Sequence, residues 1–296
     1  MKRFINKIMG SILLSVLVAF VLGTTTYAWI TLSNVTRMSD FDATVSAGEG
    51  IEMSLDGTNY YTKISNTVIT GYLFNGYFSE SSFVDPKYPN FKYKPVTSQD
   101  GINMLAYVGE TLEGYIEFDL TFKAATEVTI YWDSVTLSSA AKSWKPDVSF
   151  TNAKNVELTS DSPASNYFVS DAARISVSGP LDTLVYESPE STTNTVLGAN
   201  GTLPATYENF TGRNGSVDYF CAKNDGDNPL GVTEVITPIT VTGALGQVPL
   251  VTLSETGEEY LGTVTVRIWI EGWDPDCFNS ILASSMNTEL IFKKID

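Results

Sequence analysis

Gly262-Thr263-Val264-Thr265-Val266-Arg267-Ile268-Trp269-Ile270-Glu271 is the stretch that decides the fold class. Val264, Val266, Ile268 and Ile270 fall on one face of an extended chain, and Thr263, Thr265, Arg267 and Trp269 on the other. Strand side chains alternate between faces with a period of two. The pattern therefore predicts a long central strand with its aliphatic face in a core.

Downstream, the Asp274-Pro275 turn leads to Thr288–Lys293, where Leu290 and Phe292 alternate with Glu289, Ile291 and Lys293. Upstream, the same alternation recurs over Tyr115–Phe122 and over Val128–Leu137, with Ile130, Trp132, Val135 and Leu137. Shorter strands are expected at Arg174–Ser178, Val232–Val241 and Val248–Leu253. Near the start, Phe41, Ala43 and Val45 alternate with polar residues. Ile51, Met53 and Leu55 then run into Asp56-Gly57, a hairpin signal with Tyr60–Ile64 as the return strand. Outside the first 28 residues no amphipathic helix is evident; Ser280–Met286 offers one turn at most. Many short strands with Gly, Pro and Asn between them predict an all-β fold, an antiparallel, jelly-roll-like β-sandwich. Residues 138–227, rich in Ser, Thr, Asn, Gly and Pro, read as an elaborated central insertion or long loops on one domain spanning 29–296. A second small β domain is the other reading of that stretch.

Composition removes several function classes. The chain has 296 residues, enough for a substantial core, and no His. Ser-His-Asp and Cys-His nucleophile systems and His-ligated zinc are thereby excluded. The net charge of −16 argues against nucleic acid and anionic membrane surfaces as partners of the folded domain.

Residues 1–28 read as an export signal. Lys2, Arg3 and Lys7 form a basic start, Ile8–Leu22 is almost continuously apolar, and Thr26-Tyr27-Ala28 offers small residues at a cleavage site. An uncleaved anchor is the competing reading, although the apolar run is short of the roughly 20 residues a spanning helix needs. The membrane is then a partner only through the leader before cleavage.

The junction Gly23-Thr24-Thr25-Thr26-Tyr27-Ala28-Trp29, followed by a Ser/Asp-rich stretch and Val45-Ser46-Ala47-Gly48, resembles the SipW-dependent type of Gram-positive leader. The biofilm-matrix fibre proteins of the TasA and camelysin group carry such leaders, and the resemblance covers roughly residues 1–55. It implies a jelly-roll sandwich, secretion to the cell surface or extracellular matrix, and self-assembly into fibres. It also implies that an N-terminal strand, here Trp29, Ile30 and Leu32, is donated to the next subunit; pairing within its own sheet is the other reading. The proteolysis associated with camelysin-like proteins is not carried over, because the chain lacks His and any zinc-protease motif.

Four further features are weighed as sites. Trp269, Glu271, Trp273 and Asp274 could line a sugar-binding groove, where indole rings stack on pyranose faces and carboxylates accept hydroxyl hydrogen bonds. Two of Glu271, Asp274 and Asp276 could instead serve a glycosidase, or the Trp residues could cap the sandwich core. Cys221 and Cys277 are the two thiols; they form a disulfide, which export permits, or stay as buried thiols. Asp225 and Asp227, in Lys223–Asn228, make a weak calcium candidate whose other reading is a solvated turn. Aromatics crowd Tyr72–Tyr93 as either an adhesive patch or a loop packed on the sandwich.

The expectation is a non-enzymatic secreted structural protein without cofactors, a fibre subunit of a surface or biofilm matrix that forms a homopolymer. An accessory surface protein or a glycan could join it as partner. The alternative is a cell-surface carbohydrate-binding or adhesive module.

Overall fold

Strands with one apolar face become dry when two sheets pack face to face. The computed structural model describes residues 36–37, 41–74, 92–93, 95–106, 109–112, 114–189, 201–202, 215–223, 234–235, 238–281 and 286–295, and two such sheets form there. Their strands are β1 (Phe41–Ala47), β2 (Glu52–Ser54), β3 (Lys63–Ile64), β4 (Ile116–Ala124), β5 (Thr129–Ser139), β6 (Ala173–Ser178), β7 (Thr183–Glu187), β8 (Pro249–Thr252), β9 (Ser254–Thr256), β10 (Glu259–Ile270) and β11 (Met286–Ile295). One sheet has the order β7-β6-β10-β4-β2, with β9 added to the start of β10; the other has the order β8-β5-β11-β1-β3. From β1 to β6 each strand lies in the sheet opposite its predecessor, the alternation of a jelly roll.

The deciding stretch lies in β10, between β6 and β4. Val264, Val266, Ile268 and Ile270 are buried in the main core. They meet the apolar faces of both sheets, including Ile116, Phe118, Leu120 and Phe122 of β4 and Leu290 and Phe292 of β11. Phe122 and Phe292 touch edge to face across the sandwich, with ring centroids 5.0 Å apart.

Three details differ from the simple pattern. β1 runs parallel to β11, from Phe41 opposite Met286 to Ala47 opposite Phe292; these are the chain's first and last sandwich strands, so the long crossover that parallel pairing requires is most of the protein. The Asp56-Gly57 turn does not close a hairpin within one sheet. Met53 and Tyr61 exchange backbone hydrogen bonds, and the chain then leaves β2 for the other sheet, where β3 pairs with β1. The strand expected at Val232–Val241 is represented by the two-residue ladder of Glu234–Val235 with Gly201–Thr202, while 238–241 are not in a strand.

Two helices also depart from expectation. α1 (Asn66–Phe74) is full of β-branched residues and carries Gly71, so propensity alone disfavours it. Burial of Ile69 and Leu73 holds it against the sandwich. Its first residue also completes the sheet edge, since Asn66 Oδ1 accepts a hydrogen bond from the Ala43 amide of β1. α2 (Gly215–Lys223) is buried from Gly215 to Cys221, and a helix enclosed on nearly every side shows no amphipathic stripe to read.

Residues 138–227 divide in the structure. β6 and β7 belong to the main sheet, β6 directly beside β10. The ladders 142–144 with 165–167 and 150–151 with 157–158 stand apart and pack with α2 around an apolar cluster of their own: Phe150, Val217, Tyr219, Phe220, Cys221, Trp273 and Phe278. Trp144 edges onto both Tyr167 and Phe278 at 5.5 Å. Trp273 and Phe278 come from the segment after β10, so that segment joins the satellite cluster to the sandwich.

Candidate functional site

The sequence-predicted residues Trp269, Glu271, Trp273 and Asp274 are brought together, but inside the protein. Trp269 lies on the outer face of the β10 sheet, where Val96, Met104, Tyr115 and Val185 cover it. Glu271 and Asp274 have no exposed surface, and Trp273 keeps only 8 %. The Trp269 indole N–H donates to Glu271 Oε2 at 3.0 Å, and the Trp273 amide donates to Glu271 Oε1 at 3.1 Å. A carboxylate bonded on both oxygens to neighbouring Trp residues holds the turn after β10 shut. Neither ring offers a face to a sugar, and the groove reading of these four residues is corrected accordingly.

A residue the sequence reading passed over completes the arrangement. Arg174, on β6, stands opposite Trp269 of β10 and Glu187 of β7. Its Nη2 lies 2.9 Å from Glu187 Oε2 and 3.0 Å from Asp274 Oδ2. Asp274 Oδ1 in turn accepts from the Asp276 amide. The available signal was one Arg in a strand of small and aliphatic residues, Ala173-Arg174-Ile175-Ser176-Val177-Ser178, whose alternation points it away from the main core.

Electrostatics follow from this enclosure. Burial raises Glu271 above the ordinary carboxylate range, while Arg174 and the bonds from Trp269 and Trp273 oppose the rise. Burial likewise raises Glu187, again opposed by Arg174, with Asp274 adding to the rise. Burial works against the Arg174 charge, but Asp274, Glu271 and Glu187 together keep it above its ordinary value. The cluster is a charged structural joint. Glu271 and Asp274, without exposed surface, are closed to the water and substrate that a glycosidase's carboxyl groups must reach.

Cys221 and Cys277 are not joined by a disulfide; both are buried. Cys221 sits in the satellite cluster and Cys277 in the main core, so the expectation of a bridge gives way to two enclosed thiols. Burial, with Asp274 and Glu271 adjacent, pushes the Cys277 thiol well up. Asp225 and Asp227 lie outside the described residues, as do residues 1–28, Trp29, Ile30, Leu32 and most of the Tyr72–Tyr93 aromatic stretch. Among the described residues no group of three or more carboxylates and thiols is placed to hold a metal ion.

The sheet edges are the remaining candidates. On the side away from β10, β4 is paired among the described residues over 121–123, by β2. On the side away from β11, β5 is paired by β8 over 129–131, and Trp132 O accepts from the Gly246 amide. Among the described residues no strand pairs with Ser134–Ser138 on that side. The two open edges differ in charge: that of β4 carries Glu117 and Asp119, whereas Ser134-Val135-Thr136-Leu137-Ser138 carries none. Charged residues on an edge block further strand pairing; within β5 the stretch Ser134–Ser138 lacks them, the nearest being Asp133, which pairs with Lys293 Nζ at 2.8 Å.

Compared with known proteins, the chain matches no family model, no curated sequence and no solved structure.

Proposed function

We propose that this chain is an exported, non-enzymatic structural subunit that self-associates into fibres of a cell-surface or biofilm matrix. The segment Trp29, Ile30 and Leu32 of one copy adds as a strand to a sheet edge of the next. The observation that carries the reading is the uncharged edge Ser134–Ser138 of β5, with which no strand among the described residues pairs on the side away from β11. Strand addition draws its affinity from main-chain hydrogen bonds along such an edge. The leader's resemblance to SipW-dependent fibre proteins supplies the export route and the donor. A head-to-tail contact propagates into a filament when its rotation does not close. Without residues 1–28, which carry Lys2, Arg3 and Lys7 and no acid, the net charge goes from −16 to −19; it keeps separate subunits apart and makes assembly respond to salt.

The buried state of Trp269, Trp273, Glu271 and Asp274 weighs against the carbohydrate-binding and glycosidase readings of those residues. The test is negative-stain electron microscopy of residues 29–296 beside residues 36–296 at low and moderate salt. Filaments in the first and none in the second support strand donation. Filaments in both remove the donor assignment, and dispersed particles in both remove the fibre reading.

A further inference from the structure

A cleft of about 580 Å³ opens between the end of β5, the turn at 152–158 and the chain at 165–171. Its volume lies within the roughly 300–1,000 Å³ of small-ligand sites. Ser170 and Ser188 on its lining are buried, while Ser138, Ser165 and Asn166 are exposed. The last three make no side-chain hydrogen bond among the described residues. Asn152 is also present, its Oδ1 taken by the Lys154 and Val156 amides.

Apolar surface stands open beside these groups. Phe168 is 37 % and Val156 52 % exposed, and both line the cleft. The cleft thus combines exposed apolar side chains with hydroxyl and amide groups that make no side-chain hydrogen bond among the described residues. Charge is sparse: the charged residues of its lining are Lys154, Asp171 and Asp276, in a chain with 34 acidic residues. Among the described residues its lining holds no cation cluster for a phosphate or sulfate, and no ring of carboxylates for a metal.

We propose that this cleft binds a neutral saccharide. A sugar ring presents apolar C–H groups on one face and hydroxyls around its rim. Phe168 and Val156 match the first, and Ser138, Ser165 and Asn166 match the second, each able to donate and accept. The inference does not depend on fibre formation.

The test is isothermal titration calorimetry of the full-length protein with neutral oligosaccharides of three to six units, covering β-glucan, α-glucan and chitin types. Phe168→Ala and Asn166→Ala are measured in parallel, with thermal melts to confirm folding. Binding by the parent that weakens about five- to tenfold in each variant, as loss of one ring contact or one hydrogen bond predicts, supports the site. No saccharide bound at millimolar concentration overturns it, as does binding that both folded variants retain. A synthetic peptide of residues 29–35 is titrated as well. If it binds while the saccharides do not, and Asn166→Ala weakens it, the cleft belongs to strand addition and the saccharide assignment fails. Filaments that persist in Phe168→Ala, with saccharide binding lost, separate the two properties.

Discussion

Arg174 and Asp274 form an ion pair, Nη2 to Oδ2 at 3.0 Å, in which neither side chain has any solvent-accessible surface. The pair ties β6 to the turn after β10, and Glu187 extends it to β7. A buried pair contributes little over a well-packed apolar substitute, but removing one partner leaves the other charge enclosed without compensation. Arg174→Met is therefore expected to cost about 3–5 kcal/mol, read by urea denaturation. Loss of less than about 1 kcal/mol, the scale of an exposed pair, would contradict the enclosure.

The pH dependence follows from shifts of opposite sign. Glu187 and Glu271 have folded values above the ordinary 4.5, so the stability they contribute is fully present below 4.5 and is lost as pH rises through the raised values. Asp56 and Asp100 run the other way. Burial raises each, but backbone and side-chain hydrogen bonds outweigh it and leave both below 3.8. Their contribution is present above 3.8 and is lost as pH falls through the lowered values. The melting temperature is expected to rise on acidification from neutrality towards about pH 5 and to fall below about pH 4. In Glu271→Gln, which has no charge to desolvate, the rise between neutrality and pH 5 should shrink; an unchanged rise would remove Glu271 as a source.

Asp56 and Asp100 belong to a pair of matching loops. Ser54-Leu55-Asp56-Gly57-Thr58-Asn59 and Ser98-Gln99-Asp100-Gly101-Ile102-Asn103 share the residues that bond. In each, the carboxylate accepts from the amides two and three residues on, and from the Asn side chain at 2.7 Å. Both glycines have positive φ, 70° and 74°. A Cβ at Gly57 meets nothing within 4 Å, whereas one at Gly101 lies 2.6 Å from Val185 Cγ2. Gly57→Ala is expected to cost about 1–2 kcal/mol for the left-handed backbone alone. Gly101→Ala should add a further 1–3 kcal/mol or so of overpacking. Equal losses in thermal denaturation would show that Val185 gives way freely.

The sequence carried the sandwich well because its strands alternate, and β10 and β11 bury the residues their patterns name. It also carried a clue that alternation alone obscures. Trp132 and Val135 are three apart, and both belong to β5's inward series. The register against β11 slips there, Ile291 facing Ser134 and Phe292 facing Trp132, so Asp133 is the extra residue of a bulge that resets the phase. The helices were illegible for a different reason. Tertiary burial holds α1 against its β-branched composition, and α2 is enclosed on nearly every side. At the joint, Trp269 to Asp274 stood out by their residue types. Whether such residues face solvent or interior depends on Val96, Met104 and Val185, which lie far away in sequence. Arg174 was hidden by the same dependence.

The cysteines give a direct check on enclosure. Cys221 is 1 % and Cys277 3 % exposed. With a thiol-reactive chromogenic disulfide the native protein should release almost no colour. Two equivalents should appear on unfolding in denaturant without reductant. One or no equivalent after unfolding would mean that the thiols had been oxidised or paired.

The β5 edge carries the sharpest consequence for assembly. Leu137 points inward, 8 % exposed, so Thr136, exposed on the opposite face, can be changed without touching the core. A Lys there places a charge in the middle of the edge that no described strand pairs, the device by which strands avoid further pairing. Thr136→Lys should leave the melting temperature of isolated subunits within a few degrees, since exposed substitutions usually move stability by about 0.5 kcal/mol or less. It should abolish filaments by electron microscopy at moderate salt. Asp119→Ser is the matched control: it strips a charge from the half-open edge of β4 and leaves β5 intact, so its filaments should persist. Filaments in Thr136→Lys at parent abundance would move the acceptor away from β5. Filaments more abundant in Asp119→Ser than in the parent would place it on β4.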